Sequence, residues 1–369
     1  MNIESSVLER YSQGAETAQP SLCCAVDYDK KLLDLLPEEV IAKDYGCGDP
    51  SRYVREGDTV LDLGSGSGKI CYIAAQLVGN SGQVIGVDMN DDMLALARSY
   101  QSEMAEKIGS DRVCFVKGQI QDLSTDLDAM DRYLVEHPVG NWKALSGLKS
   151  WQTRQRIDAP LINDESVDLV VSNCVLNLVD DIEKLKLMQE IFRVTKPGGR
   201  IAISDIVSDT NVPAHLKSDS ELWSGCISGA MQEHDFVQAF VDAGFQAVRI
   251  DKWDVDPWQT VEGIEFRAVT VTAVKPQAKQ CSDQLHEVIY TGPFAKVFDD
   301  EGVTYIRGER ISVGELSYAM IADGPYQNDF VGISTQGSAP TQSCCSPAGS
   351  KQENTSENNV VSSGSSCCS

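Results

Sequence analysis

The stretch Val60-Leu61-Asp62-Leu63-Gly64-Ser65-Gly66-Ser67-Gly68-Lys69 sets a glycine turn directly between a run of strand formers and the start of a helical pattern. Gly64 and Gly66 permit unusual dihedrals and close backbone approach, and the amides that open the helix supply donors for a carboxylate. Asp88 closes the next apolar strand, where an acidic side chain can accept both hydroxyls of a ribose. A dinucleotide fingerprint needs a third glycine, but its place falls on Lys69 counting from Gly64 and on Cys71 counting from Gly66, so NAD is disfavoured. With no pyrophosphate to cradle, the two stations suit S-adenosylmethionine, which brings a carboxylate and a ribose. Asp62, Gly64, Ser65, Gly66, Asp88, Met89 and Asn173 are the expected cofactor contacts.

Outward from that turn, apolar strands alternate with helices. Strands are expected at Thr59–Leu63, Gln83–Asp88, 112–117, Val167–Asn173 and 200–206, each short, rich in Val, Ile or Leu, and bounded by turn residues. Helices are expected over 90–100 and on towards Gly109, and over 180–195, where Lys196-Pro197-Gly198-Gly199 breaks the pattern. Such alternation implies a parallel, doubly wound α/β sheet. Residues 124–160 interrupt it as a partly helical insertion; 213–230 and 233–243 read as further helices, and Ile264–Val274 alternates as a long strand at a sheet edge.

These features divide the chain into a helical and loop preamble (1–56), the cofactor-binding core (57–210), a region completing the sheet (211–275), a small mixed-β unit (276–332), and a tail (333–369) whose Ser, Gly and Asn content is that of disorder. The start, with Glu4 and Glu9, has no apolar signal core, and no apolar run approaches the roughly 18 residues a bilayer span needs. A cytoplasmic location and no membrane partner are therefore expected. The net charge of −24 argues against nucleic acid as a partner, since that binding rests on basic patches. Twelve cysteines in 369 residues are too few for a disulfide scaffold, and cytosolic thiols are normally reduced, which leaves them available as ligands.

Four strings resemble the arsenite methyltransferase family: Gly64-Ser-Gly-Ser-Gly-Lys-Ile-Cys71-Tyr72, Val171-Ser-Asn-Cys174-Val-Leu-Asn177, Leu222-Trp-Ser-Gly-Cys226-Ile-Ser-Gly-Ala230, and Tyr45-Gly-Cys47-Gly48. The resemblance implies a class I methyltransferase core followed by an arsenic-binding region. It implies that Cys174 and Cys226 hold trivalent arsenic through every methylation, with Cys71 and Cys47 needed for the first, and that arsenic arrives as a thiol conjugate with glutathione or thioredoxin as reductant. Many members carry Arg-Asp before the second cysteine and Glu before the fourth, where this chain has Lys69-Ile70 and Gly225. The aspartate that follows the adenine-side strand in many methyltransferases is replaced by Gln119, so Gln119 and Ile120 complete the cofactor set.

The residues read on their own agree with that chemistry. Cys174 follows a strand at its carboxyl end, where doubly wound sheets bind ligands, and Cys71 lies in the first turn of the helix beneath the cofactor, where amide dipoles should lower its pKa. Both are expected to face one crevice. Soft thiolates select soft centres such as As(III), and three sulfurs leave its lone pair free for in-line attack on a sulfonium methyl. Cys114, between Val113 and Phe115, is expected in the core. A zinc site lacks support, because no CxxC pair occurs and the four histidines lack finger spacing. A methyltransferase with another acceptor, or a non-catalytic thiol-rich metalloid binder, are the alternatives.

Overall fold

A computed structural model of the chain describes residues 3–19, 26–277, 285–300, 302–322 and 324–334. Cys23, Cys24, Cys281 and the tail cysteines Cys344, Cys345, Cys367 and Cys368 lie outside these residues. The chain splits into two compact units, residues 1–278 and 279–369.

In the first unit, helices α1 (Ile3–Glu16), α2 (Lys30–Leu33) and α3 (Glu38–Ala42) precede β1 (Thr59–Leu63), α4 (Lys69–Leu77), β2 (Gln83–Asp88), α5 (Asp91–Ser99), α6 (Gln101–Ile108) and β3 (Val113–Lys117). The insertion forms α7 (Leu127–Glu136) and α8 (Trp142–Asp158); then come β4 (Val167–Asn173), α9 (Lys184–Val194) and β5 (Thr195–Ser208). The remainder is α10 (Ala214–Lys217), α11 (Ser220–Ser224), β6 (Met231–Gln232), α12 (Glu233–Asp242), β7 (Gln246–Trp253), β8 (Gln259–Val261) and β9 (Ile264–Val274).

The main sheet runs β3-β2-β1-β4-β5-β9-β7. Its first five strands are parallel, whereas β9 pairs antiparallel with β5 and with β7, so the sheet is doubly wound but mixed. The strand order reverses at β1 and β4, and doubly wound sheets bind ligands outside the carboxyl ends of strands at such a reversal. Alternate residues of the parallel strands feed two cores: Leu61, Leu63, Val170 and Ile203 face one side with Leu187 and Phe240, and Val60, Leu169 and Val171 face the other with Cys71 and Ile73. At roughly 25 cal/mol per Å² of apolar surface, this two-sided burial is the main term holding the central strands.

Three expectations are corrected. Ile264–Val274 is an inner strand, because β7, whose Arg249, Asp251 and Lys252 hide its strand character, covers its outer edge. Residues 213–230 do not form one helix; α10 and α11 are single turns, and the chain leaves α11 through Cys226 at a φ of 62°, which no helix accommodates. Cys114 is exposed, since β3 is the edge strand and only Val113 and Phe115 turn inward.

The second unit contains β10 (Leu285–Tyr290), β11 (Lys296–Phe298), β12 (Thr304–Ile306), β13 (Arg310–Gly314), α13 (Glu315–Ala322) and β14 (Phe330–Ile333). Its sheets are β13-β10-β14 and β11-β12, with Val288, Tyr290, Tyr305, Val313 and Ile321 as their core.

Candidate active site

The glycine turn after β1 is pinned to the neighbouring strand, with the amides of Gly64 and Ser65 donating to the Val87 carbonyl at 2.8 and 3.0 Å. Gly64, Gly66 and Gly68 all take positive φ, at 71°, 50° and 85°. The turn opens a pocket whose floor is Gly64, Ser65, Gly66 and Asp88, with Ile120 and Gln121 on one wall and Leu8 and Tyr11 of α1 also lining it. Asp88 accepts the Gly66 amide at 2.8 Å through Oδ2 and the Asn90 amide at 2.9 Å through Oδ1. Burial raises its pKa, against the pull of these backbone donors.

Two features test whether S-adenosylmethionine fits. A methyl group built on Gly66 would meet nothing within 4 Å, so the space beside this turn is open for a ligand. Ser65 Oγ is buried in the same pocket without a hydrogen-bond partner, and a buried hydroxyl left unsatisfied costs about 1–3 kcal/mol, which a ligand's polar group would recover. Asp62, Gly64, Ser65, Gly66, Asp88, Met89, Ile120 and Asn173 all line this pocket, and the cofactor fits it.

Gln119 is not a lining residue. Its side chain turns to Glu4 of α1 at 3.3 Å, and Gln121, which the sequence reading passed over, lines the wall instead. The amide of Asn173 is fully engaged elsewhere: Oδ1 accepts the amides of Cys47 (2.9 Å) and Gly48 (3.0 Å), and Nδ2 donates to the Gly48 carbonyl (2.9 Å) and the Tyr28 hydroxyl (3.2 Å). With both lone pairs and both protons used, it positions the 46–48 loop.

Cys174 follows Asn173 at the end of β4 with φ 61°, and Cys226 follows α11 with φ 62°. Two cysteines in the left-handed region cost on the order of 1–2 kcal/mol each, and the surroundings over-determine both. Cys226 Sγ donates to the Cys174 carbonyl at 3.1 Å. Asn177 Nδ2 donates to the carbonyls of Ile206 (2.6 Å) and Cys226 (3.4 Å), and the buried Asp205 accepts the amides of Leu176 (2.9 Å) and Asn177 (3.3 Å). The two cysteine turns are thereby locked to each other and to β5. Tyr11 brings its hydroxyl to 3.8 Å from Cys226 Sγ, and burial together with Cys226 raises its pKa well above the usual phenol value, so it stays protonated.

The cysteines depart from expectation in two ways. Cys47 and Cys174 form a disulfide, with Cα atoms 5.9 Å apart, where reduced thiols were expected; the Asn173 amide that holds Cys47 beside the end of β4 makes the pairing possible. Cys47, Cys174 and Cys226 share one apolar cluster, but Cys71 packs in another, fully buried under β2, where its thiol donates to Asp62 Oδ2 at 3.3 Å. Its pKa is raised, not lowered: burial and the Asp62 carboxylate outweigh the helix dipole. Burial in turn pushes Asp62 up to about 7.

Two residues beside the site make long-range contacts that no local stretch of sequence signals. Lys69, in the place of the family's arginine, pairs with Asp44 at 2.5 Å in a buried contact and lies 4.2 Å over the Tyr28 ring. Asn90 caps α5 through Oδ1 and donates through Nδ2 to the Leu8 carbonyl and the Ser12 hydroxyl of α1, both at 3.1 Å. Val7, Leu8 and Tyr11, at helical spacing, are the signal that could have found α1.

The chain matches a methyltransferase domain model over residues 55–136 and 152–244, the gap falling where α7 gives way to α8, and a domain of unknown function over 277–359. It is 30% identical to the arsenite methyltransferase of Mus musculus over 330 residues, 85% of this chain and 77% of that one. It is 34% identical to that of Aquipseudomonas alcaligenes over 242 residues, 64% of this chain and 60% of the bacterial one. The crystal structure of CrArsM, an arsenic (III) S-adenosylmethionine methyltransferase from Chlamydomonas reinhardtii, superposes with a TM-score of 0.56 at 26% identity, covering 87% of this chain and 97% of that one. With the switch-point pocket and these relatives together, the chain belongs to the arsenite methyltransferase family and is an S-adenosylmethionine-dependent methyltransferase.

Proposed function

We propose that the chain methylates trivalent arsenic held by Cys174 and Cys226, with Cys71 and Cys47 serving the first methylation. The observation that carries this reading is the interlocking of the Cys174 and Cys226 turns, both in strained left-handed backbone, beside a pocket that fits the cofactor. Residues 57–210 are assigned to the cofactor and 211–275, together with Cys174, to arsenic, with 1–56, 276–332 and 333–369 as accessory segments.

Bound in the pocket, S-adenosylmethionine supplies an electrophilic methyl on a sulfonium. The chain's own work is positional. Gly66 leaves room for close approach, Asp88 offers acceptor capacity to the ribose hydroxyls, and Asp62 can face the ammonium. Cys174 and Cys226 would hold the arsenic by its soft sulfur affinity, leaving its lone pair free for a sulfonium methyl. Methyl transfer would form an As–C bond as the C–S bond breaks, with the electron pair leaving on sulfur and arsenic passing formally from +3 to +5. Two thiols, oxidised to one disulfide, return it to +3 for the next round. The Cys47–Cys174 disulfide supports a need for cellular thiols, glutathione or thioredoxin, since it must be opened before Cys174 can bind arsenic. No described helix is long and apolar enough to cross a membrane. A cytoplasmic location and a role in detoxification belong to this proposal. Arsenite is uncharged at neutral pH, so the net charge of −24 imposes no penalty on its approach.

Purified protein incubated with arsenite, S-adenosylmethionine and glutathione, followed by arsenic speciation, tests the activity. Cys174→Ser and Cys226→Ser are expected to abolish methylation of both arsenite and methylarsenite, because a hydroxyl is too hard a ligand, while Cys47→Ser and Cys71→Ser spare methylarsenite. Normal arsenite turnover by a Cys174→Ser protein would show that the arsenic site lies elsewhere.

A further inference from the structure

The helix α1 touches both halves of the site. On the cofactor side, the Leu8 carbonyl and the Ser12 hydroxyl accept the two protons of Asn90 Nδ2, each at 3.1 Å, from the residue that follows Asp88-Met89. Leu8 and Tyr11 also line the cofactor pocket. On the sulfur side, Arg10 donates to the Glu221 carbonyl at 2.7 Å and to Ser224 Oγ at 2.9 Å, on the turn of α11 that leads into Cys226. One residue further along, the Tyr11 hydroxyl lies 3.8 Å from Cys226 Sγ, its ring held edge-on against Tyr45 with centroids 6.0 Å apart.

From this geometry we infer that Tyr11 is a positioning residue for the Cys226 sulfur, and that α1 couples filling of the cofactor pocket to the placement of that sulfur. The inference rests on the reading that Cys226 holds arsenic. A thiol that has given up its proton to bind arsenic can no longer donate to the Cys174 carbonyl, so it turns acceptor. The Tyr11 hydroxyl is the donor at hand, and accepting from it fixes the direction in which the sulfur's remaining lone pairs point. Because the same helix is tied to Asn90 and lines the pocket, a ligand that steadies α1 from the cofactor side steadies Tyr11 as well. By linkage, arsenic on Cys226 must tighten the cofactor side by the same factor.

The test uses the full-length chain, reduced with a phosphine, and S-adenosylhomocysteine, which occupies the cofactor pocket without turnover. Calorimetry gives its affinity with and without saturating arsenite. In the parent protein arsenite is expected to raise that affinity about fivefold or more, the lower end of usual coupling factors. Tyr11→Phe, which removes only the hydroxyl, should bind each ligand alone within about twofold of the parent but show a coupling factor near one. Its kcat for arsenite should fall, and its KM for S-adenosylmethionine at saturating arsenite should rise by about the factor of coupling that is lost. Arg10→Ala, with the hydroxyl retained but the helix untied from α11, should lose coupling in the same way. Parent-like coupling and kcat in Tyr11→Phe, or no coupling in the parent, overturns the inference. If instead Cys226→Ser takes up arsenite as the parent does in a chain whose other arsenic-capable cysteines outside the site are replaced by serine, it is the arsenic-site reading that fails.

Discussion

Asp88 and Asp62 both line the pocket at the same glycine turn, yet the structure gives them different work. Asp88 is fixed by two backbone amides, Gly66 and Asn90, and keeps lone pairs free to accept ribose hydroxyls. Charge-assisted hydrogen bonds contribute about 1.5–3 kcal/mol, so Asp88→Ala should weaken S-adenosylmethionine roughly ten- to a hundredfold in calorimetry, and unchanged affinity in a folded variant would remove Asp88 from the site. Asp62 accepts the Cys71 thiol, and burial brings it to about 7, so near neutrality it carries a proton part of the time. A ligand ammonium favours its ionised form. Affinity for the cofactor should therefore rise with pH as Asp62 loses its proton around pH 7, then decline above about 8 as the cofactor's own α-amino group loses its charge. The affinity at pH 6 should be several-fold, up to about tenfold, below the maximum, and Asp62→Asn should flatten the rising limb. A rising limb that survives in Asp62→Asn assigns the titration to another group.

Among the elements, the glycines separate what the fold requires from what the ligand requires. Gly66 has φ 50° and open space where a side chain would go, whereas a methyl on Gly229 would fall 2.0 Å from the Asn177 carbonyl oxygen, in the contact that joins the Cys226 turn to the Cys174 turn. Gly66→Ala is expected to cost only about 1 kcal/mol of stability, the usual left-handed penalty, but to reduce cofactor affinity strongly by filling the cradle. Gly229→Ala should do the reverse, lowering the thermal midpoint by several degrees while a protein still folded binds S-adenosylhomocysteine normally; loss of cofactor affinity without loss of stability would contradict this division. The same contrast explains what the sequence could disclose. The strand, glycine turn and acid are local, so β1, α4, β2 and the turn and acid that line the pocket are legible in order. The partners of Gly229, the second covering strand β7 and the roof α1 are set by contacts at long separation, Arg10 to Glu221 being 211 residues apart, and no window of sequence contains them. Cys114 fails for a related reason: its neighbours Val113 and Phe115 look like core from within β3, but only the strand order reveals that β3 is an edge.

For the whole molecule, the Cys47–Cys174 disulfide sets stability against function. It closes a loop across 127 residues, tying the segment before β1 to the end of β4, and a constraint on that scale removes enough freedom from the unfolded chain to add about 4–5 kcal/mol in the chain-entropy account. The same bond consumes the sulfur of Cys174, so the oxidised chain lacks a ligand for arsenic while its cofactor pocket, built on Gly66 and Asp88, stays intact. Oxidised protein should therefore bind S-adenosylhomocysteine as well as reduced protein does and unfold at a higher temperature, yet give no methylarsenical in a single turnover with arsenite. A phosphine reductant, which contributes no competing thiol, should restore that turnover and lower the thermal midpoint together. Cys47→Ser separates the two effects, because it cannot form the bond yet leaves Cys174 as a thiol. It should have the lower midpoint of the reduced chain in either buffer and methylate methylarsenite without any reductive pretreatment. Arsenite methylation at full rate by the demonstrably oxidised parent would mean that Cys174 is not an arsenic ligand, and the thiol requirement would then have to come from the chemistry of arsenic alone.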